Sequence, residues 1–409
     1  MKYKQTITIF LLQNSALGIN LMTQFILTSL LPLNIFGMFA KVYVVRDILL
    51  PFLSFSLGMS LIFNPTKDKK ALVATATFLS FIQVLIIFIG GFIISFILFL
   101  IKYFDYKDFI LMLMLLGTSG LNVFYLVFFS LFERDEKFVF NSIISIVVAL
   151  FSSSIVIFTA INIKNILPLL LREFLPIFFL FVIYSIIVVK KHGSKTFVKQ
   201  NIDKVVLKNM IDYSLKMYLS RSVEAFFLKL DMLIVSRLFP KETIGLYERA
   251  RYFASLGWST IANYINRVHF VKYIHTTDLS LFKKTNYYSS LLNFVLFAAS
   301  IGIIFFLSMA TGKETWHQIL LLMPFFLHFV VGALVENFKT YFYAKGEVIY
   351  AMLTLRIIPL VILVISLIIF YFSHNINIYN IAFFSALSYI SSILVLRLFP
   401  KLSLSNTKK

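Results

Sequence analysis

Of the 409 residues, 60% are hydrophobic and 17% aromatic, and the formal charge is +20, a balance that excludes an ordinary soluble domain. In a water-soluble chain such basicity would point to nucleic acid; here Lys and Arg cluster in short loops between apolar runs, which excludes that partner and marks the cytoplasmic side of a membrane protein. Cysteine is absent, so disulfides, thiolate metal sites and cysteine nucleophiles are excluded as well.

The first residues, Met1 to Gln5, carry Lys2 and Lys4 and lead into an apolar stretch with no small-residue cleavage site at the usual distance. This reads as a retained first helix rather than a signal peptide. Runs able to span a hydrocarbon core of roughly 30 Å occur at about 8–31, 38–62, 73–99, 108–131, 139–161 and 166–189. A basic connector follows. Its stretch from Lys190 to Lys216 places Phe197, Ile202, Val205 and Val206 at loosely helical spacing, which predicts an interfacial helix on the inner leaflet. Further runs occur at about 211–236, 244–265, 288–309, 317–338, 351–372 and 378–398. With the N-terminus inside, only Lys102, Lys107, Lys164, Arg237, Lys241 and Lys313 fall outside, while Lys339, Lys345 and most other basic residues fall in the cytoplasm. That asymmetry predicts cytoplasmic N- and C-termini.

The two sets of runs look duplicated. Pro32, Gly37 and Phe39 in LPLNIFGMF align with Pro240, Gly245 and Tyr247 in FPKETIGLY at an offset of 208 residues, from 32 to 240. RDEKFVF, from Arg134 to Phe140, aligns with AKGEVIY, from Ala344 to Tyr350, at an offset of 210, from 134 to 344. Two nearly equal offsets indicate a repeated six-helix unit, and an even helix number runs both copies the same way through the membrane. The expected fold is an all-α polytopic membrane protein of about twelve transmembrane helices, in two six-helix lobes related by a pseudo-two-fold axis along the membrane normal. The expected divisions are an N-lobe at 1–190, an interfacial linker at 191–210 and a C-lobe at 211–409.

The run LDMLIVSRLFPKETIGLYERARYFASL, from Leu230 to Leu256, resembles the signature of bacterial polysaccharide flippases: an Asp in the seventh helix, a small turn, then Gly-x-Tyr opening the eighth. Asp231, Gly245 and Tyr247 fill those positions, and IFGMFAKVYVVRDILLPFLSFSLGMSLIF is similar in the first half. The resemblance covers nearly the whole chain. It implies the fold of the multidrug, oligosaccharidyl-lipid and polysaccharide exporter superfamily. It also implies export of undecaprenyl-pyrophosphate-linked oligosaccharide units, O-antigen or capsule repeats, from the inner to the outer leaflet of a bacterial plasma (inner) membrane. Peptidoglycan lipid II flippases typically have fourteen spans, so twelve argue against that role.

Charges inside spans are costly, about 2.5–3.5 kcal/mol each on insertion scales, and so tend to face a partner or a wet cavity. Arg221, Glu224 and Asp231 fall within an arc of about 80° on the seventh span, and Glu248 and Arg251 share a stripe on the eighth, with Arg249 to one side. Gln13, Asn20 and Gln24 share a face of the first span as a polar cavity lining. Arg supplies a planar fork for phosphate oxygens, so Arg46, Arg221, Arg249, Arg251 and Arg356 are the candidate cationic lining for a pyrophosphate. Asp231, Glu224 and Glu248 are the candidate ion-coupling carboxylates, carrying H+ or Na+. The competing reading neutralises these charges locally, pairing Arg221 with Glu224, Glu248 with Arg251 and Arg46 with Asp47. Lys41, Arg172 and Lys229 read as interfacial snorkellers.

There is no GxxxxGK loop for direct ATP drive, no HExxH or comparable metal spacing among the six histidines, and no cofactor is expected. The rival classes are a membrane glycan polymerase or glycosyltransferase acting on the same lipid-linked sugars, a drug exporter of the same superfamily, and a channel or scaffold. Short, acid-poor outward loops leave little room for catalysis and favour a non-enzyme. A drug exporter taking cations would favour acidic residues in its spans. The expected partners are the lipid-linked oligosaccharide, membrane lipids and polysaccharide polymerase machinery.

Overall fold

The computed structural model describes residues 3–66, 68–193, 202–265, 269–275, 279–372 and 377–398, and among these it is helical with no strand. The helices of the first half are α1 Tyr3–Leu30, α2 Leu33–Leu53, α3 Leu57–Phe63, α4 Lys69–Leu100, α5 Tyr106–Arg134, α6 Phe138–Asn162 and α7 Leu167–His192. Those that follow are α8 Lys204–Leu238, α9 Lys241–Ala254, α10 Leu256–Tyr264, α11 Phe270–His275, α12 Leu279–Thr311, α13 Glu314–Leu322, α14 His328–Ala344, α15 Val348–Met352, α16 Ile358–Phe372 and α17 Ile378–Leu398. Joining helices that continue across a break (α2–α3, α9–α10, α13–α14, α15–α16) leaves one helical segment for each of the twelve apolar runs, with the short α11 between the eighth and ninth.

Six of these, α4 to α7, α12 and α15–α16, are long and apolar enough to cross a membrane, and the bent pairs α2–α3 and α13–α14 raise the number to 8. Their apolar side chains point outward as well as inward. On α4, Ile89, Phe92, Phe96 and Leu100 are all exposed, a stripe that only a hydrocarbon solvent would favour. α8 fails the same test because charges recur along it, and α9, with 14 residues, is too short.

The chain divides into two compact units, Met1–Ser222 and Val223–Lys409, and the division falls inside α8. In the first unit α5 is the central helix, packed on α4 and α7, and α6 packs on α7 and α1. In the second, α14 packs on α12 and α17, and α16 packs on α17. The α4·α5, α5·α7 and α6·α7 pairings thus recur as α12·α14, α14·α17 and α16·α17.

The duplication also holds at the level of backbone geometry. α1 ends at Leu30 and α8 at Leu238, and extended prolines, Pro32 and Pro240, cap α2 and α9 at the same 208-residue offset. Proline suits this position because its fixed φ and missing N–H cost nothing at a helix start. At the 210-residue offset, α5 and α14 close with the same left-handed residue, Glu136 (φ 55°) and Gly346 (φ 80°). In each case the next amide reaches back five residues, Lys137 N–H to Phe132 O at 2.8 Å and Glu347 N–H to Phe342 O at 2.9 Å. This is a Schellman closure.

Polar side chains from neighbouring helices bond the backbone at two breaks. Pro51 lies in the last turn of α2, and the Pro51 and Phe52 carbonyls, beyond the reach of helical partners, accept from Ser222 Oγ at 3.0 Å and Tyr218 Oη at 2.9 Å. The α13–α14 junction bends by 48° through a 3-10 turn over Met323–Phe326. There the Phe329 and Val330 carbonyls accept from Asn293 Nδ2 at 2.7 and 2.6 Å.

The connector departs from expectation. α7 runs to His192, and α8 is one continuous helix of 35 residues, about 52 Å long at 1.5 Å per residue. Its opening turns therefore belong to the seventh segment and form no separate interfacial helix. Val206, Met210, Tyr213 and Met217 are buried on one face while Val205 is 69% exposed, and Tyr213 stacks on Phe63 at 4.5 Å. The predicted apolar position Phe197 lies outside the described residues.

The left-handed residues give opposite predictions. A Cβ at Gly346 meets no atom within 4 Å, so Gly346→Ala should cost only the backbone term, about 1 kcal/mol, and Glu136→Gly should gain up to about 1 kcal/mol. Thermal unfolding in detergent measures both; midpoint shifts of the same sign would contradict the shared geometry.

Candidate functional site

The densest buried charge lies in the second unit. Glu224 of α8 is the hub: its Oε1 accepts from Lys339 Nζ of α14 at 2.9 Å and from the Arg356 guanidinium at 2.6 Å. Lys339 also meets Glu336 of α14 at 2.5 Å, and Arg356 stands 3.9 Å from Glu336. Glu336 and Arg356 are each 1% exposed and Lys339 8%. Two carboxylates and two cations are thus neutral as a set, which is how a low-dielectric interior tolerates them.

Arg356 sits in a π-helical turn, Leu353–Ile357, between α15 and α16. Such a turn inserts an extra residue and frequently marks a functional site. The equivalent stretch of the first half, 143–147, is regular helix within α6. At the repeat offsets, Glu224, Glu336, Lys339 and Arg356 correspond to Ala16, Leu126, Phe129 and Ile146. The four charges therefore belong to one copy only.

A second cluster joins α8 to α9. Asp231, 1% exposed, accepts from Tyr247 Oη at 2.9 Å, from Arg251 Nε at 3.1 Å and from the Met232 amide at 2.7 Å. Arg251 also donates to the Leu228 carbonyl and lies over the Phe329 ring, 5.7 Å from its centroid. The first-half counterparts of Asp231 and Tyr247 are Thr23 and Phe39, so this cluster too belongs to one copy. Glu248 pairs with its neighbour Arg249, not with Arg251 as helical spacing suggested; Arg251 is taken instead by Asp231.

The first unit holds separate charges. Arg46 contacts Asp47 at 2.8 Å and Glu173 at 3.6 Å, lies over Tyr43 at 3.9 Å, and Arg172 meets Glu173 at 2.6 Å. Lys41 is no snorkeller: it meets the fully buried Asp108 at 2.7 Å. Arg221 is exposed, with its guanidinium 3.7 Å from Met59 Sδ. On α1, Gln24 is 2% exposed and Asn20 is exposed; the Gln13 side chain lies outside those described.

Of the predicted residues, the structure thus brings Glu224 together with Arg356, and Asp231 with Arg251. Lys339 was missed, because the positive-inside rule placed it in the cytoplasm. The signal that would have found it is the three-residue step from Glu336, which puts both on one helix face. Among the described residues no three His, Asp or Glu side chains converge as a metal site would require.

Breaking the neutral set should be costly. Arg356→Ala leaves buried carboxylates short of charge and should destabilise by about 3–5 kcal/mol. Lys69→Ala, at the exposed Lys69–Asp135 pair (2.8 Å), should cost under about 1 kcal/mol. Detergent unfolding midpoints compare the two; similar shifts would show that the Glu224 network is not a buried electrostatic unit.

Comparison with known proteins agrees with this architecture. A family model described as "Polysaccharide biosynthesis protein" matches residues 26–312. No curated protein matches the sequence. Among solved structures, an inward-facing multidrug resistance MATE family transporter of the MOP superfamily aligns with TM-score 0.67 at 15% identity, over 95% of this chain and 93% of its own. A MOP superfamily transporter from Pyrococcus furiosus, described as having a binding pocket of reversed polarity, aligns with TM-score 0.69 at 15% identity, over 99% and 95%. A MATE protein in complex with MaD3S gives 0.65 at 14% identity, over 96% and 93%. At such identities the likeness is one of fold. The chain is therefore a multi-pass membrane protein with the fold of MOP superfamily transporters, and it belongs to the polysaccharide biosynthesis protein family.

Proposed function

We propose that this protein is a flippase that carries undecaprenyl-pyrophosphate-linked oligosaccharide, an O-antigen or capsule repeat unit, from the cytoplasmic to the outer leaflet of a bacterial plasma membrane. Family membership supports the polysaccharide context, and the fold supports movement by alternating access. The observation that carries the reading is the charge set built into one copy of the repeat: Arg356 and Lys339 held on Glu224, and Arg251 held on Asp231. Each cation is fixed in place by a carboxylate, and a pyrophosphate offers the same cations more negative charge and more acceptor oxygens.

In this mechanism the incoming phosphate takes Arg356 and Lys339 from Glu224. Glu224, losing its counter-charges while still buried, then binds a proton, because desolvation favours the neutral carboxyl. Asp231 is the second coupling carboxylate, freed when Arg251 leaves it. The cations and carboxylates thus hold either each other or the two cargoes, phosphate and ion, which couples the movements of substrate and ion. In the second unit Arg249 extends the cationic lining and Glu248 is a further coupling carboxylate; in the first unit Arg46 and Arg221 supply cations and Gln13, Asn20 and Gln24 a polar lining. Sodium in place of the proton would use the same carboxylates. The preponderance of Lys and Arg in the loops that follow even-numbered spans supports cytoplasmic termini.

Deletion of the gene in its native host, followed by radiolabelled sugar incorporation and leaflet accessibility, should show complete repeat units trapped on the cytoplasmic face. Arg251→Ala and Arg356→Ala should fail to complement at normal membrane levels. Units that reach the outer leaflet and remain unpolymerised would overturn the reading in favour of a polymerase.

Asp231→Asn keeps the acceptor for Tyr247 and removes the negative charge. Export in inverted vesicles should lose its dependence on the proton or sodium gradient in this variant. Full gradient-driven export would remove Asp231 from the coupling role.

A further inference from the structure

At one end of the first unit, where the apolar stretches of α4, α5 and α7 finish, a crevice opens whose rim is basic and whose floor is apolar. Lys69 begins α4, Arg134 ends α5 and Lys191 is in the last turn of α7, while Leu72, Phe132 and Val188 form the floor and are buried. Asp135 stands between the lysines, 2.8 Å from Lys69 and 3.7 Å from Lys191. The Lys191 ammonium lies over the Phe132 ring at 5.4 Å. Arg134 is oriented by the carbonyls of Asn64, at 3.0 Å, and Thr66.

A simpler account would have these cations merely neutralise helix ends. The C-termini of α5 and α7 present about half a negative charge each, and the N-terminus of α4 about half a positive one. With Asp135 that leaves three side-chain cations facing about one and a half negative charges, an excess of roughly one and a half positive charges, while the next neighbours Lys70, Lys137 and Lys190 are matched in number by Asp68, Glu133 and Glu136. Burial pushes the Asp135 carboxyl up, but the Lys69 hydrogen bond and the charges of Lys69, Lys191 and Lys137 more than offset this and hold it below the usual range. It therefore stays ionised and keeps both lysines spread across the rim.

We infer that this crevice is a binding site for the phosphate of an anionic glycerophospholipid, separate from any transport path. The chemistry favours a lipid headgroup over a soluble phosphate because the cations stand where the spans leave the hydrocarbon, directly above an apolar floor. Basic pockets between helix ends on the cytoplasmic side suit anionic headgroups. Lys69, whose side chain is 55% exposed, can turn to the phosphate without breaking a buried contact. The inference does not depend on what the protein transports.

The test uses the full-length protein reconstituted with phosphatidylcholine and phosphatidylglycerol, extracted mildly and weighed by native mass spectrometry. The wild type should retain one phosphatidylglycerol in preference to phosphatidylcholine. At about fivefold per lysine near the surface, Lys69→Gln with Lys191→Gln should reduce that retention roughly 25-fold. The same pair changed to Arg should keep it, and Lys164→Gln, exposed in the α6–α7 connection, should leave it unchanged. Equal retention of both lipids, full retention in the double Gln variant, or loss of the lipid to about 10 mM inorganic phosphate would each overturn the lipid site.

Discussion

A charge inside a bilayer must find its counter-charge within the protein, and this requirement shapes the molecule more than any single packing contact. Water is absent, so an unpaired Arg or Glu has nothing to exchange with. The second unit meets the condition through Glu224, which holds Lys339 and Arg356 at 2.9 and 2.6 Å, and through Asp231, which holds Tyr247 and Arg251. The same rule governs the backbone: in the last turn of α2, Ser222 and Tyr218 supply the hydrogen bonds that the Pro51 and Phe52 carbonyls lack within the helix. Many hydroxyls elsewhere in the spans bond back to their own helices, as Ser80 does to Ala76 O at 2.8 Å, and those need no solvent.

Duplication supplied the scaffold and divergence supplied the chemistry. The two halves keep the same capping prolines, the same left-handed closures after α5 and α14, and the same order of helix pairing. Their charges do not correspond. Ala16, Leu126, Phe129 and Ile146 stand in the first half where the second has its four-charge set, while the first half has its own group around Arg46, Asp47 and Glu173. A substituted helix interior is easier to tolerate than an altered turn, because side chains can repack while a cap or a positive φ fixes the path of the chain.

What the sequence made legible follows the same division. Apolar runs and the Pro-x4-Gly-x-aromatic repeat located the helices and the duplication because those signals are local. The partners of the charges were harder to read. Glu248 and Arg251 have the right helical spacing, yet Asp231 on another helix takes the arginine, since rotation about a helix axis is set by tertiary packing. Lys339 was hidden by the rule that counts lysines near span ends as cytoplasmic, and the π-helical turn at Arg356 has no periodicity signal. The basic stretch after α7 looked like a surface helix by composition, but its last turns continue without a break into the seventh segment.

The separation of these partners along the chain has a consequence for biogenesis. Glu224 is synthesised 115 residues before Lys339 and 132 before Arg356. At roughly 5–20 residues per second, α8 spends about 7–26 s without the cations that make its burial tolerable. The charge pairing of α8 is completed only when α14 and the π-helical turn emerge, and a truncation between α9 and α14 should leave α8 as a target for membrane quality-control proteolysis.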